Sequence, residues 1–100
     1  MSSSKIFYGV TPAVFACVKT TSNEQHGTVY APPDANQGTA TTSNSVWTVK
    51  LTFSFDSATE ELSYTIVYKS WIVTETEIWN GIGDTINGCR GSVAAMARKG

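Results

Sequence analysis

Charged side chains are scarce in this sequence of 100 residues. Only 15% of the residues are Asp, Glu, Lys or Arg, against about a quarter in ordinary domains, and the formal net charge is −1. Such a balance gives no electrostatic attraction to phosphate backbones or anionic lipids, so no nucleic-acid partner is expected. With 14 Thr and 11 Ser, the surface must be rich in hydroxyl groups.

Long apolar runs are also missing. A secretory signal needs an apolar stretch of roughly 7–15 residues near the start, and residues 1–8, MSSSKIFY, contain none. The best apolar stretch, residues 13–18, is far shorter than the about 20 residues that cross a bilayer. We expect a soluble protein without membrane insertion and favour the cytoplasm, with secretion as the alternative.

Cysteine and histidine are too few for a metal centre. Cys17 and Cys89 have neither the close spacing of a metal knuckle nor the density of a disulfide scaffold. We interpret them as two separate buried thiols, with a disulfide as the alternative. His26 is the single histidine, and zinc would require ligands from three remote segments. The sequence therefore predicts no metal and no cofactor.

No group of residues forms a recognisable catalytic set. The best candidate is a small ribonuclease in which His26 is the general base and Glu24 and Arg90 complete the site. Nothing in the sequence brings Arg90 near His26. We therefore expect no enzymatic activity and keep the ribonuclease as a third possibility.

A strict alternation of apolar and polar residues is the clearest pattern in the chain. It runs through residues 47–56 and again through 62–69, as expected for strands with one buried face. The pattern predicts a long antiparallel hairpin with strands at about 46–56 and 62–73. Trp47 and Tyr68 should face the core, whereas Trp71 falls on the opposite parity and should face outward.

The N-terminal half predicts shorter elements. Two strands are expected at 5–10 and 13–19, separated by a turn, and a third at 27–31, before two prolines that cannot donate to a sheet. The polar residues 34–44 are interpreted as a long surface loop, which in compact domains often has a binding function.

A helix should follow the hairpin. Residues 74–77 read TETE, a capping box, and Ile78, Ile82 and Ile86 recur at intervals of four. These features predict a short C-terminal helix at about 75–86, ended by the Asn-Gly pair at 87–88, with an alanine-rich helical tail at 92–98. Residues 1–100 are thus expected to form a single, mainly β domain, a small antiparallel β-sandwich built on the hairpin.

Three tryptophans on a neutral, hydroxyl-rich background favour the recognition of neutral polar ligands. Sugars pack their C–H faces on aromatic rings and bond their hydroxyls to Asn, Asp or Gln. The sequence therefore favours a non-catalytic lectin that binds neutral glycans or glycoproteins. The candidate ligand-binding residues are Trp71, Trp79, Asn80 and Asp84 after the hairpin, and Tyr30, Asp34, Asn36 and Gln37 in and before the polar loop.

The alternative is a protein-interaction module or inhibitor that uses the hairpin face and assembles as a homo-oligomer. Trp71 bears on this choice, because an exposed tryptophan needs an explanation. A ligand site, a subunit interface, or a β-bulge near Ser70 that returns the ring to the core would each provide one.

Overall fold

The chain folds into one antiparallel sheet that two helices cover on one face. The computed structural model describes residues 3–98. Its elements in chain order are β1 (Ser3–Phe7), α1 (Pro12–His26), β2 (Val29–Ala31), β3 (Gln37–Ser43), β4 (Thr48–Asp56), β5 (Glu61–Lys69) and α2 (Glu75–Arg98). The strand order is β1-β5-β4-β3-β2. Strands β1 and β2 are therefore the two edges of the sheet, and α1 connects them.

The predicted hairpin is confirmed and lies at the centre of the sheet. Strands β4 and β5 are antiparallel, and the turn between them is held by Asp56, whose Oδ1 accepts the backbone N–H groups of Ala58 at 2.9 Å and Thr59 at 3.3 Å. Both strands are shorter at the open end than predicted. Residues 44–47 form the turn from β3, and Ser70 still donates its N–H to the carbonyl of Thr48 at 2.9 Å before the chain enters the next turn.

A β-bulge changes the open end of β5. Lys50 of β4 pairs with Tyr68, and the next residue, Leu51, pairs with Ile66. Val67 is therefore an extra residue in β5. Beyond the bulge the parity reverses, and Tyr68, which was predicted to face the core, is more than half exposed. The bulge lies closer to the hairpin turn than the position considered near Ser70. Trp71 is exposed as predicted, but because it lies in the turn after β5 and not because of strand parity.

Residues 13–19, predicted as a strand, form the first half of α1, so that prediction is wrong. Thr11 caps the helix by accepting the N–H of Val14 at 3.2 Å, and Pro12 occupies the first turn. The helix ends at Gly27, which has a φ of 70° and donates its N–H to the carbonyl of Asn23 at 3.0 Å. A short apolar run fits a buried helix as well as a strand, and the Thr-Pro pair is a helix start.

Part of the predicted loop at 34–44 is a strand. Strand β3 pairs with β2 on one side and with β4 on the other. Ala40 is its one fully buried side chain, which explains why its sequence shows little apolar signal. Threonine nevertheless suits a sheet because its branched side chain packs well on a pleated surface.

Helix α2 begins as predicted and ends later than predicted. Thr74 and Glu77 form the capping box, in which each backbone N–H donates to the other's side chain at 3.1 Å. The helix continues past the expected stop at residues 87–88 and includes the predicted tail. Cys89 is buried and forms a disulfide with Cys17 of α1, with 5.7 Å between the Cα atoms. Packing against α1 thus outweighs the weak helix propensity of glycine.

The layer opposite the sheet is helical. The ring of Phe15 on α1 lies 4.6 Å from that of Phe55 and 5.8 Å from that of Phe53, centre to centre, and Ile86 of α2 belongs to the same core. The antiparallel sheet and the C-terminal helix are confirmed. The sandwich is not, because residues 3–98 form one sheet. Neither of the two described helices is long and apolar enough to cross a membrane.

The two cysteines correct another expectation. They were interpreted as separate buried thiols, but their sulfur atoms are bonded and join the two helices. The sequence could not decide the pairing, because residues 13–19 were assigned to a strand and Cys89 was placed beyond the end of the C-terminal helix.

Candidate ligand-binding cavity

A cavity of about 490 Å³ lies between the inner face of the sheet and the helices. Its floor is formed by β2 to β5, and its walls by the last turns of α1 and the first three turns of α2. It reaches solvent beside the exposed residues His26, Glu77 and Gly81. Its volume is within the roughly 300–1,000 Å³ of sites that enclose small molecules.

The position of α2 explains why the cavity exists. The main backbone contacts of α2 are with α1 and with the edge strand β1. The Cys17–Cys89 disulfide holds the helix in that position. Where α2 passes the cavity, Gly81 has no side chain, and a Cβ atom there would meet nothing within 4 Å. The helix therefore leaves the inner face of β3 and β4 partly uncovered.

Most of the cavity lining is apolar, as in sites that bind small molecules. Among residues 3–98, no Lys or Arg lines it. Glu77 is the one acidic residue of the lining, and it lies at the solvent edge, where Thr74 donates to its carboxylate. The apolar and aromatic lining residues are Tyr30, Ala40, Trp47, Val49, Leu51, Tyr64, Ile72, Val73, Ile78 and Ile82.

Two pairs of hydroxyl groups interrupt this apolar lining. The phenol oxygens of Tyr30 and Tyr64 lie 2.7 Å apart, and the hydroxyl oxygens of Thr28 and Thr42 lie 2.6 Å apart. All four side chains line the cavity. Tyr64 is only 1% exposed and Tyr30 only 9%, so the phenol pair lies at the closed end.

The phenols stay protonated well above neutral pH. Burial raises the pKa of Tyr64 well above its ordinary value, and the neighbouring Tyr30 raises it further. Burial also raises the pKa of Tyr30, although hydrogen bonds with the hydroxyls of Tyr64 and Ser22 partly offset this effect. The floor of the cavity therefore offers neutral hydrogen-bonding groups.

A second, more polar cavity of about 480 Å³ lies between the two helices. Thr21 and Gln25 of α1 face Asp84 and Ser92 of α2 across it, and the disulfide forms part of its wall. Thr21 Oγ1 lies 3.6 Å from each disulfide sulfur. This cavity shares His26, Gly81 and Thr85 with the larger one.

The first predicted glycan site is not assembled as one surface. Trp71 is 91% exposed on the turn after β5, whereas Trp79 is half-buried and packs against the core. Asn80 and Asp84 lie one turn apart on exposed positions of α2, and Asp84 lines the polar cavity. Trp71 is therefore the one ring of this group that is freely accessible.

The second predicted glycan site is divided between the two faces of the sheet. Tyr30 points to the inner face, where it bonds to Tyr64. Gln37 pairs with Ser54, which faces outward, and Asp34 is exposed in the connection between β2 and β3. The side chain of Asn36 is also exposed, and the backbone carbonyl of Asn36 accepts the N–H of Phe55 at 2.7 Å. Tyr30 alone contributes to the cavity.

The residues of the hypothetical ribonuclease are also separated. His26 is the last residue of α1 and lines the cavity, and Glu24 is exposed nearby. Arg90 donates to the carbonyl of Tyr8, which precedes the start of α1, and to Asn87 Oδ1 at 3.0 Å. The 15 residues of α1, about 22 Å of helix, lie between these positions.

Sequence reasoning missed most of the polar lining. Thr28 and Thr42 were assigned to a strand and a loop that were not known to be neighbours, and Tyr64 was interpreted as core. The available signal was the i, i+2 spacing of Thr28 and Tyr30, which places both on one face of a strand.

No model of a known protein family, no curated protein and no solved structure matches this chain significantly. The function is therefore inferred from the fold and the cavity themselves.

Proposed function

We propose that this protein is a non-catalytic binding protein that encloses a small, neutral, mainly apolar molecule in the cavity between the sheet and the helices. The observation that carries the proposal is the apolar lining of this 490 Å³ cavity, with a few buried hydroxyls on its floor. A mostly apolar cavity with a few placed polar groups is typical of small-molecule sites.

The charges of the lining support a neutral ligand. An ionised group is costly to bury unless an opposite charge accompanies it. Among the described residues, the cavity wall has no Lys or Arg to pair with a carboxylate or phosphate, and Glu77 lies at the solvent edge. Fatty acids and nucleotides therefore fit less well than neutral compounds.

Filling the cavity from α2 tests the proposal. We expect the neutral fluorescent probe N-phenyl-1-naphthylamine to bind the wild type with an increase in emission. In Gly81→Phe the new ring enters the cavity, and binding should weaken by about tenfold or more, as expected when about 1.4 kcal/mol of contact is lost.

Gly91→Phe is the matched control, because Gly91 lies on the same helix outside the cavity lining and its Cβ would also meet nothing within 4 Å. Trp71→Ala controls for binding of the probe at the surface. No binding to the wild type, or equal binding to Gly81→Phe and Gly91→Phe, would count against the proposal.

A neutral glycan is the second candidate ligand, and the 91% exposure of Trp71 supports it. An exposed indole provides the flat apolar surface on which a sugar ring packs. A glycan array should then show binding that Trp71→Ala abolishes and Gly81→Phe leaves unchanged. Absence of binding across a broad panel would remove this candidate.

Self-association is the alternative use of the same surface. Val67, Tyr68 and Trp71 are exposed together at the end of β5 and in the turn that follows. Such a patch suits a subunit interface. Light scattering should then give the mass of an oligomer for the wild type and a lower mass for Trp71→Ser. A strictly monomeric wild type would favour a ligand site at Trp71.

The Cys17–Cys89 disulfide supports an oxidising compartment, and not the cytoplasm, as the place of function. Reducing compartments keep most protein thiols reduced. Protein recovered from its native cells and denatured without reductant should show no reactive thiol. Two reactive thiols would instead indicate that the protein functions in the cytoplasm.

A further inference from the structure

We propose that the ligand carries one neutral hydrogen-bond acceptor, of the ketone, ester or amide class, whose oxygen binds the phenol pair of Tyr30 and Tyr64 while its apolar body extends toward Trp47. This inference rests on the proposed function, because it assumes that the cavity is the binding site. It adds the chemical class of the ligand and its orientation.

The number of protons in the phenol pair supports an acceptor. Each of the two hydroxyls has one proton to donate. The hydrogen bond between Tyr30 and Tyr64 at 2.7 Å uses one of them. One O–H is therefore left to donate. By contrast, Thr85, which also lines the cavity, donates its proton to the carbonyl of Gly81 at 3.0 Å within α2.

Burial makes this remaining donor effective. Tyr64 is 1% exposed, so bulk water competes little for the hydroxyl group. A buried donor without a partner costs about 1–3 kcal/mol, and a ligand oxygen would remove that cost. Because both phenols remain neutral at physiological pH, the phenol pair keeps its free O–H donor under ordinary conditions.

The threonine pair lies between the phenols and Trp47. Thr28 and Tyr30 are two residues apart and both point inward, which separates their Cα atoms by about 7 Å along the strand direction. Thr42, whose hydroxyl lies 2.6 Å from that of Thr28, pairs in the sheet with Val49, two residues from Trp47. The pair has one proton left after its mutual hydrogen bond, so it offers a second neutral donor beside the path of the ligand.

The apolar end of the cavity lies beyond the threonine pair along the strands. Tyr30 pairs with Ala40, and Ala40 with Leu51, whereas Trp47 precedes the first residue of β4. Trp47 and the turn residues Ile72 and Val73 line this end. A ligand whose oxygen is at the tyrosines therefore places its hydrocarbon part against Trp47.

Fluorene and 9-fluorenone test the inference, because they have similar shapes and only fluorenone carries a carbonyl. Equilibrium dialysis should show that the wild type binds fluorenone roughly 3- to 10-fold more tightly than fluorene, the ratio that one net hydrogen bond gives. The double variant Tyr30→Phe/Tyr64→Phe keeps both rings, and its ratio should fall to about 1. The carbonyl stretching band of bound fluorenone should move to higher frequency in that variant.

Tyr68→Phe is the control, because Tyr68 is exposed on the other face and should leave the ratio unchanged. Binding of fluorene by the double variant shows that the cavity is still formed, and Tyr64→Phe alone offers a milder change in the same pair. If the wild type binds neither compound, the proposed function fails with the inference. If it binds both with equal affinity, or if the double variant keeps the preference, only the carbonyl inference is overturned.

Discussion

The buried phenols of Tyr30 and Tyr64 make the stability of the protein depend on pH. Because burial raises their pKa values above the value of about 10 in an unfolded chain, the unfolded state releases these protons first. The stabilisation is complete below about pH 9 and is lost as the pH rises above about 10. The free energy of unfolding should fall by about 1.4 kcal/mol per pH unit for each tyrosine in this range.

Urea unfolding between about pH 8 and pH 11 measures this dependence. In Tyr64→Phe one of the two phenols is absent, so the slope above pH 10 should be shallower than in the wild type. An identical slope in both proteins would contradict the assignment of the pH dependence to this pair.

The candidate site could be predicted from the sequence only in part. Tyr30 was selected as a binding residue, but for its position beside a polar loop and not for its partner Tyr64. The sequence separation of 34 between the two tyrosines is bridged by the register of β2, β3, β4 and β5, and no local pattern indicates that register. The exposure of Trp71 was predicted correctly but for the wrong reason, because the bulge at Val67 reverses the parity before it and the ring is exposed in the turn after β5.

The disulfide should contribute much of the stability of the helical layer. Cys17 and Cys89 are separated by 72 residues, and closing a loop of this length in the unfolded chain stabilises the folded state by about 4 kcal/mol. Reduction, or the double variant Cys17→Ala/Cys89→Ala, should lower the free energy of unfolding by about this amount. Urea unfolding with and without reductant measures the effect, and the double variant should not respond to reductant.

Two glycines should respond in opposite ways to alanine. Gly91 lies inside α2 with open space at its Cβ position, so Gly91→Ala should stabilise the protein by about 1 kcal/mol through helix propensity. At Gly38 the added Cβ would collide with the backbone carbonyl of Ala31 on the neighbouring strand. Gly38→Ala should therefore destabilise by about 1–3 kcal/mol. Thermal unfolding of both variants tests the pair, and a stabilising Gly38→Ala would show that the two strands lie farther apart.

The elements that the sequence predicts well are those specified by local patterns. The hairpin has period two over many residues, and the capping box of Thr74 and Glu77 needs only four residues. The elements that it misses depend on distant partners. Strand β3 lies between β2 and β4, and the part of α2 just beyond the predicted stop is joined to α1 through Cys89 and Cys17. Tertiary packing decides such segments, which individual propensities do not reveal.

Ligand binding should stabilise the whole molecule, because the cavity walls come from the sheet and from both helices. A ligand at a hundred times its Kd raises the free energy of unfolding by about 2.7 kcal/mol, and each kcal/mol raises Tm by about 4–8 °C in a domain of this size. N-phenyl-1-naphthylamine should therefore raise the Tm of the wild type and of Gly91→Phe. A similar increase in Gly81→Phe would place the binding site elsewhere.

Because α1 runs from one edge of the sheet to the other, its length is related to the width of the sheet. Five strands have four spacings of about 4.8 Å, or about 19 Å in all, and the 15 residues of α1 extend about 22 Å. The helix is therefore about as long as the sheet is wide. A protein of this topology with one additional hairpin would be about 10 Å wider and would need six or seven more helical residues to return to the far edge. Strand number and helix length should thus change together, which restricts the insertions that the fold accepts.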